Sequence, residues 1–160
     1  MLSRRRFFAS AGAGLAGVLG AGSGGLALAA ERFEISLSEA EWKRRLTPQQ
    51  FSVLRQQDTE RPGSSPLNME HRRGVVACAG CNLDVYRAQD KFESGTGWPS
   101  FTRPIAGAVR TRVDTSFFAV RTEVHCRRCG GHLGHVFDDG PAPTGKRYCM
   151  NGAALTFRLT

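Results

Sequence analysis

Acidic residues are absent from the first 30 positions of this chain, whose only charged side chains are three arginines at positions 4–6. A small apolar run follows and ends in Ala27, Leu28 and Ala29, a pattern typical of an export signal with a small-residue cleavage site. No cysteine follows this run before position 78, which argues against a lipid anchor. We therefore expect residues 1–29 to be a signal peptide and residues 30–160 to form one domain.

The signal segment SRRRFF at residues 3–8 resembles the twin-arginine signal of bacterial export. Its apolar run is only weakly hydrophobic because it is rich in glycine and alanine, which suits that route better than a membrane span. We expect a periplasmic protein that is delivered by the twin-arginine export machinery. The alternative is an uncleaved N-terminal segment that tethers the protein to the membrane.

The basic residues of the rest of the chain are spread along it. Without the three signal arginines, 19 basic residues face 14 acidic ones, so the formal net charge falls from +8 to about +5. The basic run at residues 43–45 looks like an exposed helix face and lacks the aromatic interleaving of a nucleic-acid surface. We expect no nucleic-acid partner, and we expect a monomer.

The domain begins with signals for two helices. Ser38 with Glu41 forms a capping box, and Thr47 with Gln50 gives a second start signal with proline in the first helical position. Short strands and turns follow from residue 74 onward. The helical residues expected to face the core are Trp42, Leu46, Phe51 and Leu54.

Three later segments predict strands. Residues 74–78 are strand-like, and residues 109–113 and 117–124 could pair as a hairpin around Asp114. The final run, residues 147–159, alternates and is predicted as a single strand, which would place Cys149 on one face with Arg147 and Asn151.

Four of the five cysteines form two C-x-x-C pairs, Cys78 with Cys81 and Cys126 with Cys129. A two-residue spacer lets both sulfurs of a pair reach one tetrahedral ion, so two pairs predict a closed structural site without a position for water. The 44 residues between the pairs imply that a larger β domain brings them together. We favour one zinc ion; iron, structural disulfides and redox pairs remain alternatives.

The fifth cysteine, Cys149, has no partner in this scheme. A purposeless free thiol is a liability in an exported protein because it oxidises and cross-links, so we predict a functional role. Arg147 can stabilise a thiolate, and Asn151 offers a hydrogen-bonding side chain nearby. The alternative is a small buried apolar residue.

Two other segments carry side chains suited to chemistry. His132 and His135 in HLGH are available for proton transfer near neutral pH if the cysteines complete the metal site. Zinc ligation or an exposed turn are the alternatives for this pair. In GTGWPSF, residues 95–101, Trp98 could be an aromatic platform or a core residue.

Taken together, these segments resemble the B-type methionine sulfoxide reductases, the peptide-methionine (R)-S-oxide reductases. The resemblance covers roughly residues 36–160 and keeps the family's order. Its segments are TE (59–60), the two C-x-x-C pairs, KFESGTGWPSF (91–101), HLGHVFDDG (132–140) and RYCMN (147–151).

The resemblance implies a mainly β fold with two antiparallel sheets, short N-terminal helices and one structural zinc on the four paired cysteines. It implies Cys149 as the nucleophile, with His132 and His135 beside the sulfoxide. The substrate-binding residues that it implies are Trp98 against the S-methyl group, Asn151, and Arg147 in support of the thiolate.

The implied reaction repairs oxidised methionine in proteins after oxidative stress, and free methionine sulfoxide is a second candidate substrate. The Cys149 thiolate attacks the sulfoxide sulfur while a histidine supplies a proton, and Cys149 keeps the oxygen as a sulfenic acid. Many members carry a resolving cysteine where this chain has Thr96. We therefore expect an external thioredoxin-like protein or small thiol as the reductant.

Two other functions are alternatives to a methionine sulfoxide reductase. A metal-binding module without catalysis would leave Cys149 without a role, and an exported disulfide oxidoreductase would need one C-x-x-C pair free of metal. Gly152, where serine is frequent in the family, is a smaller difference that we expect to loosen the site.

Overall fold

The computed structural model of the protein describes residues 31–160, except the side chain of Phe117. The signal expected at residues 1–29 and its cleavage site at Ala29 lie outside the described residues. Residues 32–160 form one compact unit. Within the described part of the chain, no helix is both long enough and apolar enough to cross a bilayer.

Both helical start signals are confirmed. The Ser38 hydroxyl accepts a hydrogen bond from the Glu41 amide, and the Thr47 hydroxyl accepts one from the Gln50 amide. All four predicted core residues of this region are buried. The two helices that result are α1 (Glu39–Arg45) and α2 (Pro48–Gln56).

Short antiparallel strands are the main regular secondary structure of the described chain, as predicted. They form a three-stranded sheet in the order β2-β1-β9 and a six-stranded sheet in the order β3-β4-β8-β7-β6-β5. The strands are β1 (Gly74–Cys78), β2 (Asp84–Arg87), β3 (Lys91–Phe92), β4 (Ser100–Phe101), β5 (Val109–Asp114), β6 (Arg121–Cys126), β7 (His132–Phe137), β8 (Arg147–Met150) and β9 (Leu155–Leu159).

The predicted hairpin is present, since β5 pairs antiparallel with β6. Its second strand begins at Arg121 and not at residue 117, because residues 116–118 form a 3₁₀ turn. In that turn Asp114 accepts hydrogen bonds from the backbone amide and the hydroxyl of Ser116, at 2.9 and 2.6 Å.

The prediction of a single strand over residues 147–159 is wrong. The chain leaves the large sheet after Met150, makes a 3₁₀ turn at Gly152–Ala154, and enters the small sheet as β9. The reason is a long-range contact: the buried carboxylate of Glu60 accepts hydrogen bonds from the amides of Gly152 and Ala153, at 2.5 and 2.9 Å. Those amides are therefore not available to a continuous ladder.

Gly152 does not loosen the segment that connects the two sheets. A Cβ atom at this position would lie 1.9 Å from the hydroxyl oxygen of Ser65 and 3.2 Å from a carboxylate oxygen of Glu60. The position is fully packed, so in this chain glycine fits where a larger side chain would require Ser65 to move.

The core lies where the two sheets and the helices meet. Tyr86 of β2 stacks on Phe101 of β4 with ring centroids 4.3 Å apart, and its hydroxyl donates to the sulfur of Met150 on β8 at 3.0 Å. From the helices, Trp42 and Leu54 join the same buried cluster. This packing holds the large sheet with one face against the core.

Candidate active site and metal centre

One row of side chains crosses the large sheet through Cys149. In the strand register, Ser100 lies opposite Cys149, Cys149 opposite His135, His135 opposite Glu123, and Glu123 opposite Arg112. Directly opposed residues of antiparallel strands project from the same face. The pairing of five strands therefore collects a thiol, an imidazole, a carboxylate and a guanidinium that are far apart in sequence.

A cavity of about 140 Å³ opens beside this row. Four of the predicted site residues line it, namely Trp98, His135, Cys149 and Asn151, whereas His132 and Arg147 do not. The remaining lining residues are Thr59, Arg121, Gly134, Phe137 and Met150. The cavity thus offers a thiol and an imidazole next to aromatic and thioether groups.

Cys149 is half-buried and carries a thiol in a mixed environment. Burial raises the pKa of Cys149 above its ordinary value, and contacts with Thr96, Arg147 and Ser100 oppose that shift in part. The Thr96 hydroxyl oxygen lies 3.9 Å from the sulfur. The thiol form is consequently favoured, and a base must take its proton before Cys149 can act as a nucleophile.

Arg147 contacts more than Cys149. Its guanidinium donates two hydrogen bonds to the carboxylate of Asp139, both 2.8 Å long, and lies 4.4 Å from the ring centroid of Phe137. The positive charge is therefore shared with a carboxylate, and its attraction for a Cys149 thiolate is reduced.

His135 is oriented by Asp114, with 2.7 Å between its Nε2 and a carboxylate oxygen. Hydrogen bonds from Ser116, together with His135 and Arg121, hold the pKa of Asp114 well below its usual range. Because an ionised carboxylate only accepts, Nε2 carries the proton and Nδ1 of the neutral ring is the basic atom. Burial lowers the pKa of His135, and Asp114 opposes this shift in part.

His132 is more deeply buried than His135. The two rings make a T-shaped contact with their centroids 5.3 Å apart. Its Nδ1 is 2.8 Å from a carboxylate oxygen of Glu123, which also binds Arg112. Although burial raises the pKa of Glu123, His132 and Arg112 lower it to about 2 overall. The other ring nitrogen of His132, Nε2, is buried without a hydrogen-bond partner in the described structure.

Sequence reasoning did not identify Glu123 and Asp114. One signal for Glu123 was available: it lies within the strand predicted for residues 117–124, and a charge buried in a strand needs a partner. Asp114 was recognised only as a turn residue. Neither partner could be paired with its histidine from spacing alone.

Trp98 and Asn151 are tied to the same segment, residues 59–60. The indole Nε1 of Trp98 donates to the carbonyl oxygen of Glu60 at 3.1 Å. The side-chain oxygen of Asn151 accepts from the Glu60 amide at 3.0 Å, and its nitrogen donates to the carbonyl of Leu133 at 3.3 Å. Both the oxygen and the nitrogen of the Asn151 side chain thus bond to backbone, which holds the cavity wall in position.

The four paired cysteines meet at one point. Their sulfur atoms all lie within 4.8 Å of one another, with Cys78 and Cys129 3.7 Å apart and Cys81 and Cys126 3.5 Å apart. A tetrahedral ion with bonds of about 2.3 Å separates its sulfur ligands by about 3.8 Å. The sulfurs are too far apart for disulfides, whose bonds are about 2.05 Å. The geometry fits a metal ion in a four-thiolate site.

Backbone geometry supports both halves of this metal centre. A residue with positive φ follows the second cysteine of each pair: Asn82 at +56° and Gly130 at +68°. These turns let the amide of Asn82 bond the Cys78 carbonyl at 2.8 Å and the amide of Gly130 bond the Cys126 carbonyl at 2.9 Å. Each pair of sulfurs is therefore directed to the same side of its turn.

Comparison with known proteins gives a consistent result. The SelR domain matches residues 46–159 of this chain. The peptide methionine sulfoxide reductase MsrB of Methanosarcina barkeri is 55% identical over 125 residues, which cover 78% of this chain and 88% of that protein. MsrB of Leptospira interrogans is 46% identical over 127 residues, covering 79% and 97%. The chloroplastic peptide methionine sulfoxide reductase B1 of Arabidopsis thaliana is 52% identical over 121 residues, covering 75% and 60%.

Proposed function

The chain belongs to the SelR-domain family and is a peptide-methionine (R)-S-oxide reductase, and from that premise we propose that Cys149 reduces methionine-R-sulfoxide through a sulfenic acid. The observation that carries this proposal is the strand register. It sets Cys149 between Ser100 and His135 on one face of the sheet, at the wall of a cavity that Trp98 also lines.

The first step of the proposed reaction is a proton transfer from the Cys149 thiol to an imidazole. His135 is suited to this role because it lies opposite Cys149 in the ladder and its Nδ1 is the basic ring atom. The product is a thiolate beside an imidazolium, which Asp114 stabilises. His132 packs edge-on against His135 and stabilises the same charge through Glu123.

In the second step the thiolate attacks the sulfoxide sulfur while the imidazolium protonates the sulfoxide oxygen. The oxygen passes to the Cys149 sulfur as the sulfur–oxygen bond of the substrate breaks. Methionine leaves with its sulfur reduced by two electrons, and the cysteine sulfur is oxidised by two electrons to sulfenic acid. Trp98 packs against the S-methyl group, and Asn151 and Arg147 support the wall and the thiolate.

An external thiol completes the proposed cycle. The chain has five cysteines, and four of them cluster at the metal centre. Thr96, which lies beside Cys149, cannot form a disulfide. A thioredoxin-like protein or a small thiol therefore attacks the sulfenic acid, releasing water and forming a mixed disulfide that a second thiol reduces.

Protein-bound methionine sulfoxide is the proposed main substrate, with the free amino acid as a second one. Thr59 and Arg121 line both the active-site cavity and a neighbouring cleft of about 550 Å³. That cleft is suited to the residues flanking an oxidised methionine in a polypeptide, since its other lining residues are polar: Ser52, Gln56, Gln57 and Asp58.

The metal in this proposal is one zinc ion held by Cys78, Cys81, Cys126 and Cys129. Its role is structural, because four thiolates complete a tetrahedral shell and leave no position for substrate. It takes no part in sulfoxide chemistry.

We propose that residues 1–29 direct a monomeric domain, residues 30–160, to the periplasm through the twin-arginine route, where it repairs oxidised proteins. Metal thiolates require reduced cysteines, which supports folding and metal loading before export. Rerouting the protein through a pathway for unfolded chains should then yield a metal-poor, disulfide-scrambled product. Full metal content after rerouting would contradict loading before export.

The test of the activity uses racemic methionine sulfoxide with dithiothreitol as the electron donor. Half of the sulfoxide should be consumed, with the S epimer remaining on chiral chromatography. The Cys149→Ser variant should consume none while it retains its metal. Consumption of both epimers, or turnover by the variant, would refute the proposal, and a metal-binding module without catalysis would consume neither epimer.

A further inference from the structure

Three hydroxyl groups form a connected series that ends at the sulfur of Cys149. The Ser100 and Ser94 oxygens are 2.8 Å apart, the Ser94 and Thr96 oxygens are 2.8 Å apart, and Thr96 lies 3.9 Å from the sulfur. Ser100 donates to the carbonyl oxygen of Trp98 at 3.1 Å and also contacts Cys149. We call Ser100, Ser94 and Thr96 the hydroxyl array.

The backbone around the hydroxyl array holds it in position. Ser100 is fully buried in β4, directly opposite Cys149. Thr96 stands between two glycines with positive φ, Gly95 at +70° and Gly97 at +90°. A Cβ atom at Gly97 would lie 2.9 Å from the side chain of Pro62, so the loop packs closely here. The backbone therefore fixes the hydroxyl array beside Cys149.

The direction of the hydrogen bonds in the array depends on whether Cys149 is a thiol or a thiolate. Each hydroxyl has one proton to donate, and the Trp98 carbonyl can only accept. When Cys149 is a neutral thiol, the donors run from sulfur through Thr96, Ser94 and Ser100 to that carbonyl. When Cys149 is a thiolate, it can only accept. If Thr96 donates to the sulfur, the donors behind Thr96 reverse as well, and the Trp98 carbonyl loses the hydrogen bond from Ser100.

We propose that the hydroxyl array reverses its hydrogen bonds when Cys149 ionises, so that Thr96 donates to the thiolate and Ser94 and Ser100 position Thr96 to do so. This inference rests on the proposed role of Cys149 as the nucleophile. In a run of hydroxyls each bond polarises the next, so the donor at the end is stronger than an isolated one. Thr96 is the member that donates to the sulfur, and Ser94 is a positioning residue. Ser100 supports Ser94 and also contacts Cys149 itself.

Among the charged groups around Cys149, Arg147 contacts the sulfur as well, and it is unchanged in the variants described below. On its own strand, the cation of Arg147 is shared with Asp139. On the adjacent strand, His135 is hydrogen-bonded to Asp114.

Two further charges belong to the surroundings. Arg121 lines the cavity and is bound to Asp114, and Glu93 caps the loop by accepting from the Gly95 amide at 2.8 Å. None of these groups is altered by changes in the hydroxyl array. A shift in the ionisation of Cys149 after such a change can therefore be assigned to the hydroxyls.

The test measures the pH dependence of iodoacetamide alkylation at Cys149, followed by peptide mass spectrometry so that the metal-binding thiols are not counted. Thr96→Val removes the hydroxyl and keeps the shape, and should raise the pKa of Cys149 by roughly one unit. Thr96→Ser should restore the wild-type value. A Thr96→Val variant with an unchanged pH profile would overturn the proposal.

Ser94→Ala tests whether the hydroxyls act together. It should shift the Cys149 pKa in the same direction by a smaller amount, and adding it to Thr96→Val should cause no further shift. Additive shifts would mean that the serine acts on its own and would overturn the array. The matched control is Thr111→Val, an exposed threonine on β5, which should leave the profile unchanged.

Alkylation requires no turnover, so this proposal and the enzymatic one can fail separately. A Thr96→Val shift in a protein that reduces no sulfoxide would support the array and refute the activity. If the wild type reduces the sulfoxide normally and Thr96→Val shows no shift in the pKa of Cys149, the activity is supported and the array is refuted. Metal content, measured in each variant, confirms that the fold is retained.

Discussion

The sulfur atoms of this protein lie in two regions that differ in almost every respect. At the metal centre, four thiols converge from two turns, and their sulfurs lie within 4.8 Å of one another. At the active site, a single half-buried thiol stands on a sheet, with hydroxyls, an imidazole and a cation around it. The comparison teaches that the neighbouring side chains, more than burial, decide whether a cysteine binds metal or acts as a nucleophile.

The largest expected effect comes from breaking the metal centre. Cys126→Ser removes one of four ligands and leaves three thiols crowded in the core, so the metal should be lost. The melting temperature should fall by about 10 °C or more, because metal binding and folding are coupled. Elemental analysis and thermal unfolding measure both quantities. Cys149→Ser is the matched control and should retain the metal and the melting temperature; equal destabilisation by both changes would contradict the distinction between the two regions.

A smaller effect is expected when the carboxylate behind the histidines is neutralised. Glu123→Gln keeps the shape but removes the acceptor that orients His132 and pairs with Arg112. We expect kcat to fall about 100-fold while the metal content stays at the wild-type level. The measurement is steady-state reduction of a sulfoxide peptide. Wild-type kcat in this variant would exclude Glu123 from the catalytic machinery.

The comparison can be sharpened by giving the active site a second sulfur. Thr96→Cys places a thiol next to Cys149, within reach of a disulfide after sulfenic acid has formed. One turnover without reductant should leave the variant with an internal disulfide, whereas the wild type should gain one oxygen at Cys149. Mass spectrometry distinguishes these products, and Thr111→Cys is the control that should behave like the wild type. An internal disulfide in the wild type would contradict the one-cysteine cycle.

The smallest expected effect is on stability in acid. The pKa of Glu123 falls from an ordinary 4.5 to about 2 in the folded protein. Its contribution to stability is therefore present above pH 4.5 and is lost as the pH falls towards 2. Urea unfolding at a series of pH values should show a steeper acid loss in the wild type than in Glu123→Gln. Parallel curves would mean that Glu123 titrates normally.

Local signals in the sequence predicted local structure well. The capping boxes at Ser38 and Thr47, the strand at Gly74–Cys78 and the C-x-x-C turns depend on residues a few positions apart, and the structure has all of them. The same holds for the existence of the hairpin, although not for the start of its second strand.

Features that depend on register could not be predicted. The pairing of His132 with Glu123 requires β6 and β7 to align with an irregularity between Val124 and His125, which no spacing rule reveals. The break after Met150 depends on Glu60, which lies about 90 residues earlier in the sequence. Such contacts are set by the packing of the whole domain and not by neighbours in the chain.

Glu60 has a consequence for how this enzyme can adapt to different substrates. Its carbonyl holds Trp98, its amide holds Asn151, and its carboxylate holds the segment that passes from one sheet to the other. These parts form one rigid unit, so that side of the cavity cannot widen without disturbing the joint between the sheets. Accommodation of bulky flanking residues therefore falls to the adjoining cleft, which Thr59 and Arg121 line together with polar side chains of residues 52–58.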